Sequence, residues 1–140
     1  MEKQIKLYIV SSQTDIDGNT DKMEFYAEGK LFIKEHSLYI CYKETEITGM
    51  EGTTTSVRAD KDSVTLIRFG SINSRLVFQE GISTSNRYET QYGNFEINIL
   101  TNKIDIDIME GRESSIKLKY IMSFAESSRY INELALYFKY

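Results

Sequence analysis

Arg68 and Glu44 are the two residues with the most chemistry to offer, because each extends an otherwise apolar alternation. Arg68 follows Val64 and Leu66 at every second position, and Glu44 follows Ile40 and Tyr42 in the same way. Alternate residues of a strand share a face. If Val64, Leu66, Ile40 and Tyr42 face a core, the guanidinium and the carboxylate point inward too, or toward the mouth of the fold. An isolated inward charge is strongly disfavoured, so Glu44 is the natural partner of Arg68. The pair can close one end of the fold as a structural ion pair. Alternatively, Arg68 can anchor a ligand carboxylate or phosphate in an otherwise apolar cavity, the fork of its N–H groups fixing the ligand's orientation. Proton transfer or anion stabilisation by the same two residues is a third use, with no other group behind it.

Tyrosines add to the first two. Tyr88, Thr90 and Tyr92 lie on one strand face, and Tyr120 lies inward with Ile116 and Leu118. Rings with hydroxyl tips suit a small amphipathic ligand. The ten tyrosines, with no tryptophan, also fit the general enrichment of aromatics in strands, which needs no ligand. The residues expected near a binding cavity are therefore Tyr42, Glu44, Arg68, Tyr88, Thr90 and Tyr120.

Other groupings fall short of a site. Asp15-Ile16-Asp17-Gly18-Asn19-Thr20-Asp21 resembles the front of a calcium loop, but its sixth position is Thr20 where glycine is needed, and its twelfth is Tyr26 where a bidentate glutamate is needed. It reads as a polar hairpin turn. Asp105 and Asp107 share the face opposite their isoleucine neighbours, so they belong to a solvated charge ladder balanced by Lys117 and Lys119. Glu96 is expected to approach them across a Thr101-Asn102 turn. Cys41 and His36, five residues apart, fall on opposite faces of a continuous strand, which leaves Cys41 a small, unreactive thiol. No glycine-rich phosphate loop or serine elbow occurs in the sequence. No catalytic residue, metal ligand or cofactor is assigned.

The elements that position these residues are strands. Ile104, Ile106 and Ile108 alternate with Asp105 and Asp107. Phe95, Ile97 and Ile99 alternate with Glu96 and Asn98, and Ile116, Leu118 and Tyr120 with Lys117 and Lys119. Ile5, Leu7 and Ile9 open the chain similarly and Leu134, Leu136 and Phe138 close it, so both termini are expected in the sheet. Turn signals at Asp17-Gly18-Asn19, Glu35-His36-Ser37, Gly49 to Gly52, Asp60-Lys61-Asp62, Thr101-Asn102 and Glu110 to Ser114 suit antiparallel hairpins. Gly29 and Gly81 sit in strand-like runs, where isolated glycines mark bulges or bends that let a sheet curl. The absence of proline removes a common means of blunting an edge strand, which a sheet closed on itself does not need. Only Ser123 to Ile131 lacks alternation, fitting a wide hairpin loop or a short helix. About eight to ten strands of seven to ten residues are expected, closing into a barrel filled by side chains or holding one small ligand.

Composition sets the outer limits. The 140 residues carry 17 Lys+Arg against 21 Asp+Glu, a formal charge of −4, and 41% hydrophobic with 27% charged content is that of a globular protein. About two-thirds of the unfolded surface is expected to be buried, enough for one core and one domain spanning residues 1–140. The acidic balance without a basic stripe argues against nucleic acid. One cysteine and one histidine leave no disulfide and little metal capacity. No signal core opens the chain and no stretch approaches the ~18 apolar residues of a membrane helix. A cytoplasmic protein without a membrane partner, monomeric or homodimeric, is expected.

The run from Ile67 to Tyr140 includes Arg68-x-Gly70, Leu76-Val77-Phe78-Gln79-Glu80-Gly81, Tyr88-x-Thr90-x-x-Gly93, Ile116-Lys117-Leu118-Lys119-Tyr120 and Asn132-Glu133-Leu134-Ala135-Leu136. The N-terminal third adds a strand pattern with Tyr42-x-Glu44. This order and spacing resembles the YwiB-like family, small uncharacterised proteins of Gram-positive bacteria that carry a domain of unknown function. The likeness covers essentially the whole chain. It implies an all-β fold, a closed or nearly closed antiparallel barrel of the calycin-like, lipocalin type with at most one short helical turn, and it implies no established activity. The expected function is non-enzymatic binding of a small amphipathic or anionic molecule inside the barrel. The alternative is a protein-interaction or self-assembly module with a solid core, contacting its partner through outer tyrosines or an edge strand.

Overall fold

The computed structural model describes residues 2–125 and 128–140. Ten strands follow one another in an antiparallel meander: β1 (Glu2–Thr14), β2 (Thr20–Lys34), β3 (Ser37–Lys43), β4 (Thr53–Ala59), β5 (Ser63–Gly70), β6 (Asn73–Gln79), β7 (Ser83–Thr90), β8 (Gly93–Asp107), β9 (Glu113–Ala125) and β10 (Ser128–Lys139). Each pairs with its neighbours in sequence, and β1 pairs with β10 to close the barrel. The one helical turn among the described residues is the 3-10 turn Glu46–Thr48, between β3 and β4. No helix there is long and apolar enough to cross a membrane.

Closure is what makes the apolar alternation productive. Ile5, Leu7 and Ile9 of β1, Leu31 of β2, Ile40 of β3, Val64 and Leu66 of β5, Phe78 of β6 and Leu136 of β10 all project into one core and are almost wholly buried. At roughly 1.5–3 kcal/mol for each large apolar side chain removed from water, this interior is the main term favouring the fold. Outside the β1–β10 closure, Tyr8 stands directly opposite Tyr26 of β2 and Tyr137 of β10. Its ring lies 4.9 Å and 5.8 Å from theirs, and Lys117 sits over Tyr137. Cross-strand aromatic pairs of this kind stabilise a sheet by several tenths of a kcal/mol or more each, roughly 0.2–1. These outer tyrosines thus fasten the first strand to the last.

Several boundaries differ from those the sequence suggests. β8 runs through the expected Thr101-Asn102 turn as one strand, with a register shift between Thr101 and Lys103 against β9. Ile97, Ile99 and Thr101 face inward on odd positions, whereas Ile104 and Ile106 face inward on even ones. A bulge at Asn102 converts one parity to the other without a change of direction. Glu96 therefore does not meet Asp105, which stands opposite Lys117. Strand lengths reach 15 residues in β2 and β8. β9 and β10 continue to Ala125 and from Ser128, so the wide loop or helix expected over 123–131 is replaced by paired strand, residues 126–127 lying outside the described residues. Of the two glycines expected to mark bulges or bends, one lies at a bend and neither at a bulge. Gly81, at φ 77°, belongs to the β6–β7 turn. Gly29 stays in register with both neighbours, and a Cβ there would come 2.8 Å from the Cys41 carbonyl oxygen and 3.0 Å from Leu7.

One seam is sparsely laddered. β6 and β7 are in register only at Asn73–Glu89 and Ser74–Tyr88, because the Gly81 and Ile82 turn leans onto β8, where Gly81 donates to Thr101 and Thr101 donates to Ile82. Side chains span the gap. Val77 N–H donates to Asn86 Oδ1 at 3.1 Å, and Thr84 Oγ1 donates to the Val77 carbonyl at 3.0 Å. Asn86→Ala leaves the Val77 N–H without its partner, and a buried group so orphaned costs about 1–3 kcal/mol. The expected result is a lower urea midpoint, with faster amide exchange at Val77 than in the β1–β2 hairpin.

Candidate functional site

A polar row crosses the interior at one level of the barrel. Tyr42 of β3 stands opposite Thr55 of β4, Thr55 opposite Arg68 of β5, Arg68 opposite Ser74 of β6, and Ser74 opposite Tyr88 of β7. Because opposed residues in adjacent strands present their side chains to the same face, five consecutive strands contribute polar groups to one patch. Glu44 continues the inward face of β3 just beyond Tyr42, its backbone N–H donating to the Thr53 carbonyl at 2.8 Å. Around the patch lies a cavity of about 560 Å³. Its deeper walls are mainly apolar, supplied by Ile9, Phe25, Leu66, Leu76, Ile97, Met122 and Leu134, while Ser11, Gln13, Asn132 and the exposed Asp21, Lys22 and Glu133 make a polar edge. Thr48, Gly49 and Met50, from the segment linking β3 to β4, border it as well.

Tyr42, Glu44, Arg68, Tyr88 and Tyr120 all line this cavity. Thr90 does not. Its hydroxyl donates to the Gly93 carbonyl and accepts from the Tyr92 N–H, because β7 is already turning back into β8 there, and Tyr92 is 85% exposed. The sequence also leaves out Thr55. That residue is fully buried, and its hydroxyl donates to Glu44 Oε1 at 2.9 Å. The only trace of its role is the run Thr53, Thr54, Thr55, whose alternation becomes visible once β4 is registered against β3 and β5.

The expected Glu44–Arg68 pair is not formed. Among the described residues, no carboxylate oxygen comes within 4.0 Å of the Arg68 guanidinium. Arg68 Nε and Glu44 Oε2 are both buried without a hydrogen-bond partner, as is Ser74 Oγ between Arg68 and Tyr88. Glu44 itself is 5% exposed. Thr55 lies across from Arg68 and bonds to Glu44, so it stands between the two charges. The shared inward face was legible from alternation, but the separation depends on which strand lies between.

Electrostatics at the patch follow from burial. Desolvation, then the nearby Glu44 charge, push the Tyr42 phenol well above the ordinary 10.0, with Arg68 acting in the opposite sense. Burial likewise raises the Tyr120 phenol, again opposed by Arg68. A phenol whose folded-state pKa is raised keeps a proton that the unfolded chain releases. The stability linked to it is therefore whole below pH 10.0 and is lost as the pH climbs through the folded value. Melting temperatures of the wild type are expected to fall more steeply above that pH than those of Tyr42→Phe, which has no proton to lose. Parallel curves would contradict the burial of the Tyr42 hydroxyl.

The remaining groups behave as surface. Asp15 Oδ1 accepts from the backbone N–H groups of Asp17 and Asn19, and these bonds hold its carboxyl below the usual range, as in an Asx-type turn. Asp107 pairs with Arg112 at 2.7 Å on the exterior. Cys41 is half-buried on the outer face of β3, and His36 is exposed in the β2–β3 turn. Among the described residues, no group of three or more His, Cys, Asp or Glu side chains is placed to hold a metal ion.

Comparison with known proteins agrees with this architecture. The chain is 26% identical over 135 residues to the uncharacterized beta-barrel protein YwiB of Bacillus subtilis (strain 168), covering 96% of this chain and 92% of that one. The crystal structure of the ywiB protein from Bacillus subtilis superposes with a TM-score of 0.87 at 24% identity, covering 99% of this chain and 92% of the other. Residues 8–136 match the domain of unknown function DUF1934, and with that match spanning nearly every strand of the barrel, the chain belongs to the DUF1934 family.

Proposed function

We propose that this protein binds a small amphipathic anion inside the barrel, without catalysis, in the manner of a lipocalin-type carrier. The observation that supports it best is Arg68, a half-buried guanidinium lining the cavity, with a buried, unpartnered Nε and, among the described residues, no carboxylate within ion-pair distance. Even partial withdrawal of a charge from water without a partner carries a desolvation cost. A fold that needed only a filled core would be better served there by leucine or methionine. The cavity is within the roughly 300–1,000 Å³ range of small-molecule sites, and it sets an apolar wall against a polar one, as an amphiphile requires. Reading the outer tyrosines as a partner-binding surface has less support, since Tyr8, Tyr26 and Tyr137 are already engaged with one another across the closure.

Octanoate is a suitable probe, its carboxylate addressed to Arg68 and its chain to Ile9, Phe25 and Leu134. Titration followed by NMR is expected to shift resonances of Tyr42, Tyr88 and Tyr120. Arg68→Ala is expected to weaken binding at least about tenfold, the value of one charge-assisted hydrogen bond. Native mass spectrometry of freshly purified protein should also carry a small-molecule adduct. Unchanged affinity in Arg68→Ala would remove the anchor, and with it this reading.

A further inference from the structure

We infer that the head group this cavity prefers is zwitterionic, a carboxylate or similar anion with an ammonium beside it, Arg68 receiving the anion and Glu44 Oε2 the cation. The inference rests on the binding role proposed for Arg68 and specifies the ligand class. Its basis is the other half of the polar patch. Glu44 is 5% exposed and lines the same cavity, with Oε1 accepting from Thr55 at 2.9 Å and the Tyr42 hydroxyl beside the carboxylate. Among the described residues Oε2 has no donor in hydrogen-bonding geometry. An unmet carboxylate oxygen in a cavity wall calls for a donor.

Charge balance selects the kind of donor. Glu44 and Arg68 together are neutral but separated, by more than 4.0 Å and with Thr55 between them. A guest carrying only an anion satisfies Arg68, leaves Glu44 without a counter-charge, and places two like charges in a region of low dielectric. A guest carrying only a cation does the reverse. A head with both charges meets each wall group with its complement and leaves no net charge buried. Its apolar body is directed to the wall formed by Ile9, Phe25 and Leu134.

Three probes with the same chain length separate these cases: octanoate, octylamine and 2-aminooctanoate, each titrated into the wild-type protein by calorimetry. 2-Aminooctanoate is expected to bind about tenfold or more tighter than either of the others, the usual worth of a hydrogen bond to a charged group. Glu44→Gln retains an oxygen to accept the Thr55 hydroxyl. It is expected to erase most of the preference for 2-aminooctanoate over octanoate while leaving octanoate affinity equal or higher. If octanoate binds as tightly as 2-aminooctanoate, the zwitterion is wrong and the anion site stands. If none of the three binds, both fall. A full preference retained in Glu44→Gln also overturns the inference, since the ammonium would then be held elsewhere. The wild-type series decides between the head groups by itself, should that variant fail to fold.

Discussion

Phe78→Ala is expected to cost about 3–5 kcal/mol and to lower the melting temperature by roughly 10–15 °C. Phe78 has no exposed surface and ranks among the largest fully buried side chains. Its ring meets that of Tyr120 edge-on at 4.7 Å. Deletion of the ring forfeits its transfer free energy and leaves a void, because the strands on either side are held in register by β5 on one flank and by the Asn86 and Thr84 bridges on the other. That scaffold cannot collapse inward, so the cost is placed toward the upper part of the range. The effect reaches the cavity through Tyr120, which lines it. With its edge contact gone, Tyr120 can swing away and enlarge the cavity. A chain-length series of fatty acids should show the optimum displaced to longer chains in Phe78→Ala. An unchanged melting temperature would mean that the interior repacks freely and is not the rigid wall described above.

How much of this was open to sequence reading depends on the range over which each feature is specified. Alternation is local, so the strand character of Ile104 to Ile108 or Ile116 to Tyr120 shows in a few residues, and the meander follows from turns that recur too closely for crossovers. The parity change between Ile99 and Ile104 is also local, but it has two physical solutions, a reversal or a bulge. The strand pairs with β9 on both sides of Asn102, which is a tertiary fact. Inward placement of Glu44, Arg68 and Tyr42 followed from the same alternation. Their grouping with Thr55 and Ser74 did not, because it requires the registers of five strands at once. Thr90 shares a face with Tyr88, yet lies where β7 ends, and the position of Gly93 three residues on is the only local sign of that. The separation of Glu44 from Arg68 is of the same kind: charge and face predict a pair, and only the strand between them prevents it.

That separation leads to the second large effect. Replacing the two charged members of the patch and the threonine between them with apolar residues of similar shape, Glu44→Met, Thr55→Val and Arg68→Met together, is expected to raise stability by about 1–4 kcal/mol while abolishing binding of carboxylate probes. Buried charges recover their desolvation cost only when geometry pairs them well. Among the described residues Arg68 Nε and Glu44 Oε2 have no hydrogen-bond partner, so the cost stands for the buried Glu44 and in part for the half-buried Arg68. Changing all three at once matters: Thr55 loses its acceptor in the same step that removes its own hydroxyl, and loss of both partners of a hydrogen bond is close to neutral, which leaves the Tyr42 hydroxyl, beside Glu44 and Thr55 in the wild type, as the one group to be met by water in the cavity it lines. A patch kept for stability would respond in the opposite direction, with the barrel melting earlier as its stabilising groups disappear. Urea denaturation of the triple variant beside the wild type distinguishes the two by sign alone. A midpoint moved upward together with lost octanoate binding identifies a site whose charges destabilise the fold and serve a guest, a trade common where function requires groups that packing does not. A midpoint moved downward would reassign Glu44, Thr55 and Arg68 to the structure of the barrel.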